Sequence, residues 1–185
     1  MHHAIFDREG ASLGCMSYIC RVFSILFSLV VMSCSQDLTD MEIVYEYAPE
    51  WGAAYYLGDE GDVSNFKLVL TAGRTDEEEN LISSGAVLSL HLSAPLNEYF
   101  SLPDGKYLAA SSTGAAYTFD FGSVTTRQSG SKLPTIFALE SGIVFVERAE
   151  DGTYRIKAEV AGQGRSFEFD YDGEMRTFNL ATPII

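Results

Sequence analysis

The chain has 185 residues, with 12 Lys and Arg against 26 Asp and Glu, for a net charge of −14. So acidic a protein repels phosphate backbones and anionic lipid headgroups, which argues against nucleic acid as a partner and against a basic patch as a membrane contact. The three cysteines are Cys15, Cys20 and Cys34, so a domain downstream of Cys34 has no internal disulfide, no thiol nucleophile and no Cys-based metal site.

The first element in chain order is a leader. Arg21 supplies a positive n-region, and Val22 to Met32 form an apolar h-region. It closes on Val31-Met32-Ser33-Cys34, a small residue followed by cysteine. That is the lipobox pattern, in which the cysteine is diacylated and becomes the first mature residue. The stretch is short for a membrane-spanning helix, and its flanks suit a cleaved signal. The reading assigns residues 1–33 to a signal peptide and lipidation to Cys34. Residues 1–15 match no part of a leader, and the h-region follows Met16 at a normal distance, so Met16 is the expected start. Residues 34–42 are the lipidated cysteine and a polar, acidic tether. The expected location is the cell envelope, at the outer membrane or cell surface, with lipid on Cys34 as the membrane link.

Residues 43–185 are expected to form one all-β domain. Phe66, Leu68 and Leu70 alternate with Lys67, Val69 and Thr71. The same period of two runs through Leu88, Leu90 and Leu92, through Tyr117, Phe119 and Phe121, through Tyr154, Ile156, Ala158 and Val160, and through Phe167, Phe169 and Tyr171. One apolar and one polar face per strand is the pattern of antiparallel strands buried on one side. The spacing predicts strands over 52–58, 64–72, 85–94, 142–149, 153–161 and 165–171. Two such meanders joined by residues 95–141 make a single antiparallel β-sandwich, or a flattened meander barrel if the edges meet. Glu77 to Ile82 has room for one turn of helix.

Turn chemistry separates the runs. Asp104-Gly105, Asp151-Gly152 and Asp172-Gly173 are turn dipeptides, because glycine tolerates positive φ and aspartate bonds its own backbone. A two-residue loop at Gly162-Gln163 sets Arg155 opposite Asp170 and Lys157 opposite Glu168, with Tyr154 facing Tyr171 and Ile156 facing Phe169. The alternative loop, Gln163-Gly164, opposes Glu159 to Glu168 and is the less favoured register.

Candidate chemistry is sparse. His91 is the one histidine after the leader, on the polar side of a strand, with no Gly-x-Ser-x-Gly or similar motif nearby. Asp59, Glu60 and Asp62 flank Gly61, and Asp76 to Glu79 form a second acidic loop; both have oxygen ligands that suit calcium, without the spacing of an EF-hand. A hydrolase using paired carboxylates needs two acids facing one cleft. The expectation is a non-enzymatic protein with no cofactor and no metal.

Aromatic residues are the stronger signal. Tyr45, Tyr47, Trp51, Tyr55 and Tyr56 cluster within twelve residues, and Tyr99-Phe100 precede a turn. Tyr55 and Tyr56 are adjacent on a strand and point to opposite faces, so one of them is available outside the core. Exposed rings stack on sugars or anchor partner proteins. Trp51, Tyr55 and Tyr56 are therefore the candidate ligand-binding residues, for a glycan or an envelope protein. The alternative is a structural or adhesin subunit that assembles by strand addition, with Thr177 to Ile185 as the donated strand.

Ala54-Tyr55-Tyr56-Leu57-Gly58 with Asn65-Phe66-Lys67-Leu68-Val69-Leu70 forms one familiar pattern. Leu102-Pro103-Asp104-Gly105-Lys106-Tyr107 forms another, and Ser141-Gly142-Ile143-Val144-Phe145-Val146 with Asp151-Gly152-Thr153-Tyr154 a third. With the Met-Ser-Cys-Ser leader end, these segments resemble uncharacterised envelope lipoproteins of Bacteroidetes gut bacteria. The resemblance implies a lipid-anchored β domain and carries over no catalytic residues. Such bacteria also display fimbrillin-like adhesin subunits and glycan-binding lipoproteins, which match the two functional expectations.

Overall fold

The computed structural model describes residues 43–97, 100–110 and 114–181. The leader, Cys34, the tether, Tyr99 and the final residues 182–185 lie outside the described residues. Eleven strands form one sheet. They are β1 (Val44–Tyr47), β2 (Trp51–Glu60), β3 (Val63–Ala72), β4 (Gly85–Pro95), β5 (Gly105–Ala109), β6 (Thr118–Arg127), β7 (Thr135–Ala138), β8 (Ser141–Arg148), β9 (Tyr154–Gly162), β10 (Arg165–Gly173) and β11 (Met175–Asn179). The order across the sheet is β1-β10-β9-β8-β5-β6-β4-β3-β2-β11, with β7 paired to β6.

The period-two runs became strands because alternation lets one face bury its apolar side chains while the other stays in water. In β9 the pattern is strict: Tyr154, Ile156, Ala158 and Val160 are buried and the residues between them exposed. The buried set from β2, β3, β4, β5, β6, β8, β9 and β10 makes one core cluster, including Phe66, Leu88, Tyr107, Val144, Ile156 and Phe169. Strands far apart in the order thus share one core, so the sheet coils around its apolar face.

The all-β, mostly antiparallel fold is as expected, and the sheet is not closed into a barrel. Its edges meet through the chain itself. β1 pairs in parallel with β10, Tyr45 opposite Phe167, and β11 pairs in parallel with β2, Phe178 opposite Tyr55. Since β1 leads into β2 and β10 leads into β11, the first and last strands lie side by side along an interrupted parallel seam. Gly52 sits at the interruption: a Cβ there would lie 2.9 Å from the Tyr171 ring. Residues 95–141 do not link two separate meanders. They carry β5, β6 and β7, which stitch the halves together. β5 runs antiparallel to β8 and pairs in parallel with the start of β6.

Two turn expectations are corrected. The β9–β10 hairpin uses the Gln163-Gly164 loop, so Glu159 opposes Glu168, Lys157 opposes Asp170 and Arg155 opposes Asp172. Gln163 and Gly164 have φ of 53° and 72°, the double positive φ of a type I′ turn, which favours glycine second. Backbone geometry outweighs a like-charge contact between two exposed glutamates, and the ion pairs re-form as Lys157–Asp170 at 3.4 Å and Arg155–Asp172 at 3.3 Å. The shift is two residues, so every side chain keeps its face. Asp172-Gly173 lies within β10 rather than in a turn, whereas Asp151-Gly152 turns as expected, with Asp151 Oδ1 accepting from the Thr153 amide at 3.0 Å.

The seam gives a stability prediction. Gly52→Val adds three carbons, the first of them already against Tyr171, and is expected to cost about 1–3 kcal/mol, measured as a lowered denaturation midpoint. An unchanged midpoint would show that β2 and β10 do not approach as described.

Candidate functional site

The outer face of β2 carries Trp51 and Tyr55, while Ala54 and Tyr56 point inward. Tyr56 is 4% exposed, tilted on Phe66 and Phe100 at 5.5 and 4.8 Å between ring centres. Alternation therefore places Tyr56 in the core, and it drops out of any external ligand surface. Trp51 and Tyr55 are partly buried beside a small second cluster of Val69, Leu81 and Val87 on the outside of the sheet.

Tyr55 belongs to a row that crosses five strands at one level. Phe178, Tyr55, Lys67, His91 and Asp120 are successive cross-strand partners on β11, β2, β3, β4 and β6. Phe178 stacks on Tyr55 at 4.9 Å and 14°. Lys67 Nζ lies 5.3 Å from the centre of the Tyr55 ring. Tyr55 is thus flanked by Phe178 and Lys67, and its hydroxyl donates to Glu79. Further along, a register shift between Leu90 and His91 brings His91 Nδ1 to 2.8 Å from Asp120 Oδ1. The other Asp120 oxygen is buried without a hydrogen-bond partner.

Residues 73–84 run over this face as a strap. Glu77 to Ile82, which has room for one turn of helix, does not form it; Thr75 instead bridges Leu81, and Glu79 has a φ of 64°. Asp76 organises the strap by accepting from the amides of Glu78 and Asn80 at 3.0 and 2.8 Å. Leu81 inserts between Val69 and Val87, and Arg127 Nη1 donates to its carbonyl at 2.9 Å. Glu79 latches the strap through Lys67 Nζ at 3.0 Å and through the Tyr55 hydroxyl. Partial burial, with the Glu79 bond and charge, pushes the Tyr55 pKa up to about 12. Partial burial works against the Glu79 carboxylate, yet bonds from Tyr55 and Lys67 and the Lys67 charge hold it below the ordinary glutamate value.

The other sequence candidates are placed differently. Asp59 accepts from Ser64 Oγ at 2.6 Å in the β2–β3 hairpin. Asp76 serves its own loop. Among the described residues no group of three His, Cys, Asp or Glu side chains is arranged to hold a metal ion. Asp120 is the one buried acid among them, and it faces His91 rather than a second carboxylate.

The row at Tyr55 continues into an apolar edge. Phe178, Leu57 and Leu180 are 39%, 41% and 59% exposed, and the Leu180 amide donates to the Tyr56 carbonyl at 2.8 Å, which keeps these side chains along the β2–β11 pair. The sequence signal for Phe178 was weak, because Met175–Asn179 is short and lies on the edge. Glu79 looked like one carboxylate among many until the strap placed it over Tyr55. No protein-family model, curated protein or solved structure matches this chain.

The latch has a pH signature. The folded-state pKa of Glu79 is lowered from 4.5, so its contribution is present above that value and lost as pH falls through the depressed one. Hydrogen exchange of the strap amides, corrected for intrinsic rate, is expected to quicken below that range in the wild type and to be fast and flat with pH in Glu79→Gln. Equal protection in both proteins at neutral pH would refute the latch.

Proposed function

We propose that this is a non-enzymatic binding protein of the cell envelope, tethered by lipid on Cys34, that holds an envelope protein against its β2–β11 edge. The observation that carries this is the outward apolar strip of Tyr55 and Leu57 on β2, Phe178 on β11 and Leu180 just after it, next to the end of the strand order. An apolar strip along a sheet edge suits a protein partner, which adds backbone hydrogen bonds to apolar contact. A glycan fits this strip less well, because the faces of the Tyr55 ring are flanked by Phe178 and Lys67. Trp51, from the same sequence cluster, supports the strip from beneath the strap.

A second reading is favoured by β11 itself. It has five residues, four of them exposed, and pairs with β2 in parallel near the end of the chain. That is the geometry of a strand that can be exchanged, the expectation for an assembling subunit with Thr177 to Ile185 as the donated segment.

A photo-cross-linker at Leu57 in intact cells separates the readings. Capture of one envelope protein, lost when Phe178→Asp is added, supports the partner reading. A ladder of the chain with itself supports strand exchange. Absence of any adduct, with the protein folded and at the envelope, overturns both.

The anchor is tested alone. Cys34→Ala is expected to abolish acyl labelling and release the protein from the membrane fraction. Retention and labelling like the wild type would remove the lipid from the account.

A further inference from the structure

A separate concavity opens at one end of the coil. It lies between β1 and β10 on one side and the β6–β7 hairpin on the other, with a volume of about 270 Å³. That is close to the low end of small-ligand pockets, about 300 Å³. Its floor is aromatic. Tyr45 stacks on Phe167 at 5.6 Å and Phe137 lies tilted against Phe167 at 5.2 Å and 50°, all three on the inward register of their strands. Thr126, Ser131 and Thr135 line its wall, with the Ser131 hydroxyl donating to the Leu133 carbonyl at 2.7 Å.

Two cations also line it, in a chain with a net charge of −14. The Arg165 guanidinium lies 5.4 Å from the Tyr45 ring centre and 5.3 Å from that of Phe137, and it donates to the Tyr45 hydroxyl. Arg127 donates to the backbone carbonyls of Leu81 and Ser131 at 2.9 and 3.3 Å, which fixes it without neutralising it. The ion pairs among the described residues are Lys67–Glu79, His91–Asp120, Arg155–Asp172 and Lys157–Asp170. Neither arginine of the cavity belongs to one. Arg165 is therefore a guanidinium held on ring faces with donors left over, since the group has five N–H.

We propose that this cavity binds an acidic saccharide, a pyranose ring carrying a carboxylate. The partly buried rings of Tyr45 and Phe137, seated on the buried Phe167, offer apolar edges rather than free faces to the C–H groups of the sugar. The threonine and serine hydroxyls match its hydroxyls. Arg165, with the Arg127 charge behind it, takes the carboxylate in the planar geometry that a guanidinium favours. The acidic surface elsewhere repels the same ligand, so the positive cavity is where an anion settles. The site is distinct from the β2–β11 edge.

The test is saturation-transfer NMR and calorimetry on the purified protein with glucuronate, galacturonate and their short oligomers, against glucose and galactose. The acidic sugars are expected to bind, the neutral ones not, and binding to weaken with salt. Arg165→Gln is expected to weaken binding by about tenfold or more, with Lys157→Gln, on the outer face, as an unaffected control. Thr135→Trp fills the cavity while keeping both arginines and is expected to block binding too, so a fold defect in one variant does not decide the outcome. No binding of any uronate at millimolar concentration overturns the proposal. So does uronate binding that survives both cavity variants, or binding of benzoate where both uronates fail.

Discussion

A sheet with one apolar face, and no helix or second sheet among the described residues to cover it, has to roll until that face meets itself. The rest of this structure depends on that. The roll is held where the two ends of the chain run side by side, β1 on β10 and β2 on β11. From β2 across to β10 six pairings are antiparallel and one, β5 with β6, is parallel, so β2 and β10 run the same way and the two ends of the chain meet in parallel. This is also the most non-local pairing available, joining residues more than a hundred positions apart, so it is slow to form and gives nothing until most of the core is in place.

The seam is interrupted, and the interruption has a cause. Gly52 leaves room for the Tyr171 ring at the point where one parallel ladder ends and the other begins. The sheet thus reaches a coil without a continuous closing ladder. The strands left at the ends of the order, β1 and β11, are short, as edge strands usually are. Opposite the seam a second compromise appears. β7 pairs with β6, and β5 wedges in where β7 gives way to β8.

Coiling also decides what each face does. The inward register is core along most strands, and at one mouth it becomes a small aromatic cavity with two arginines. The outward register is polar over β9 and β10, where ion pairs sit in water and contribute little. Over β2, β3 and β4 it is partly apolar, and the strap of residues 73–84 covers it with Leu81. The latch at Glu79 ties the strap to the sheet through Lys67 and Tyr55, the latter a residue whose sequence position suits a ligand.

Much of the fold was legible locally. The alternating runs at 64–72, 85–94, 153–161 and 165–171 became β3, β4, β9 and β10 within a residue or two, because period two and turn residues act within a few positions. The short strands β1, β5 and β7 were not legible, because four or five residues carry too little pattern, and each exists because a neighbour offers a free edge; a terminal strand was expected from Thr177, and β11 starts at Met175. The hairpin register was not legible from charge pairing, because the φ demands of Gln163 and Gly164 outweigh exposed charges. The site followed the same division. Opposite faces for Tyr55 and Tyr56 came from alternation alone. Which of them was core, that Phe178 and Glu79 would close on the other, and that Tyr45, Phe137 and Arg165 would share one cavity, were decided only when strands distant in sequence were brought together by the burial of a single apolar face.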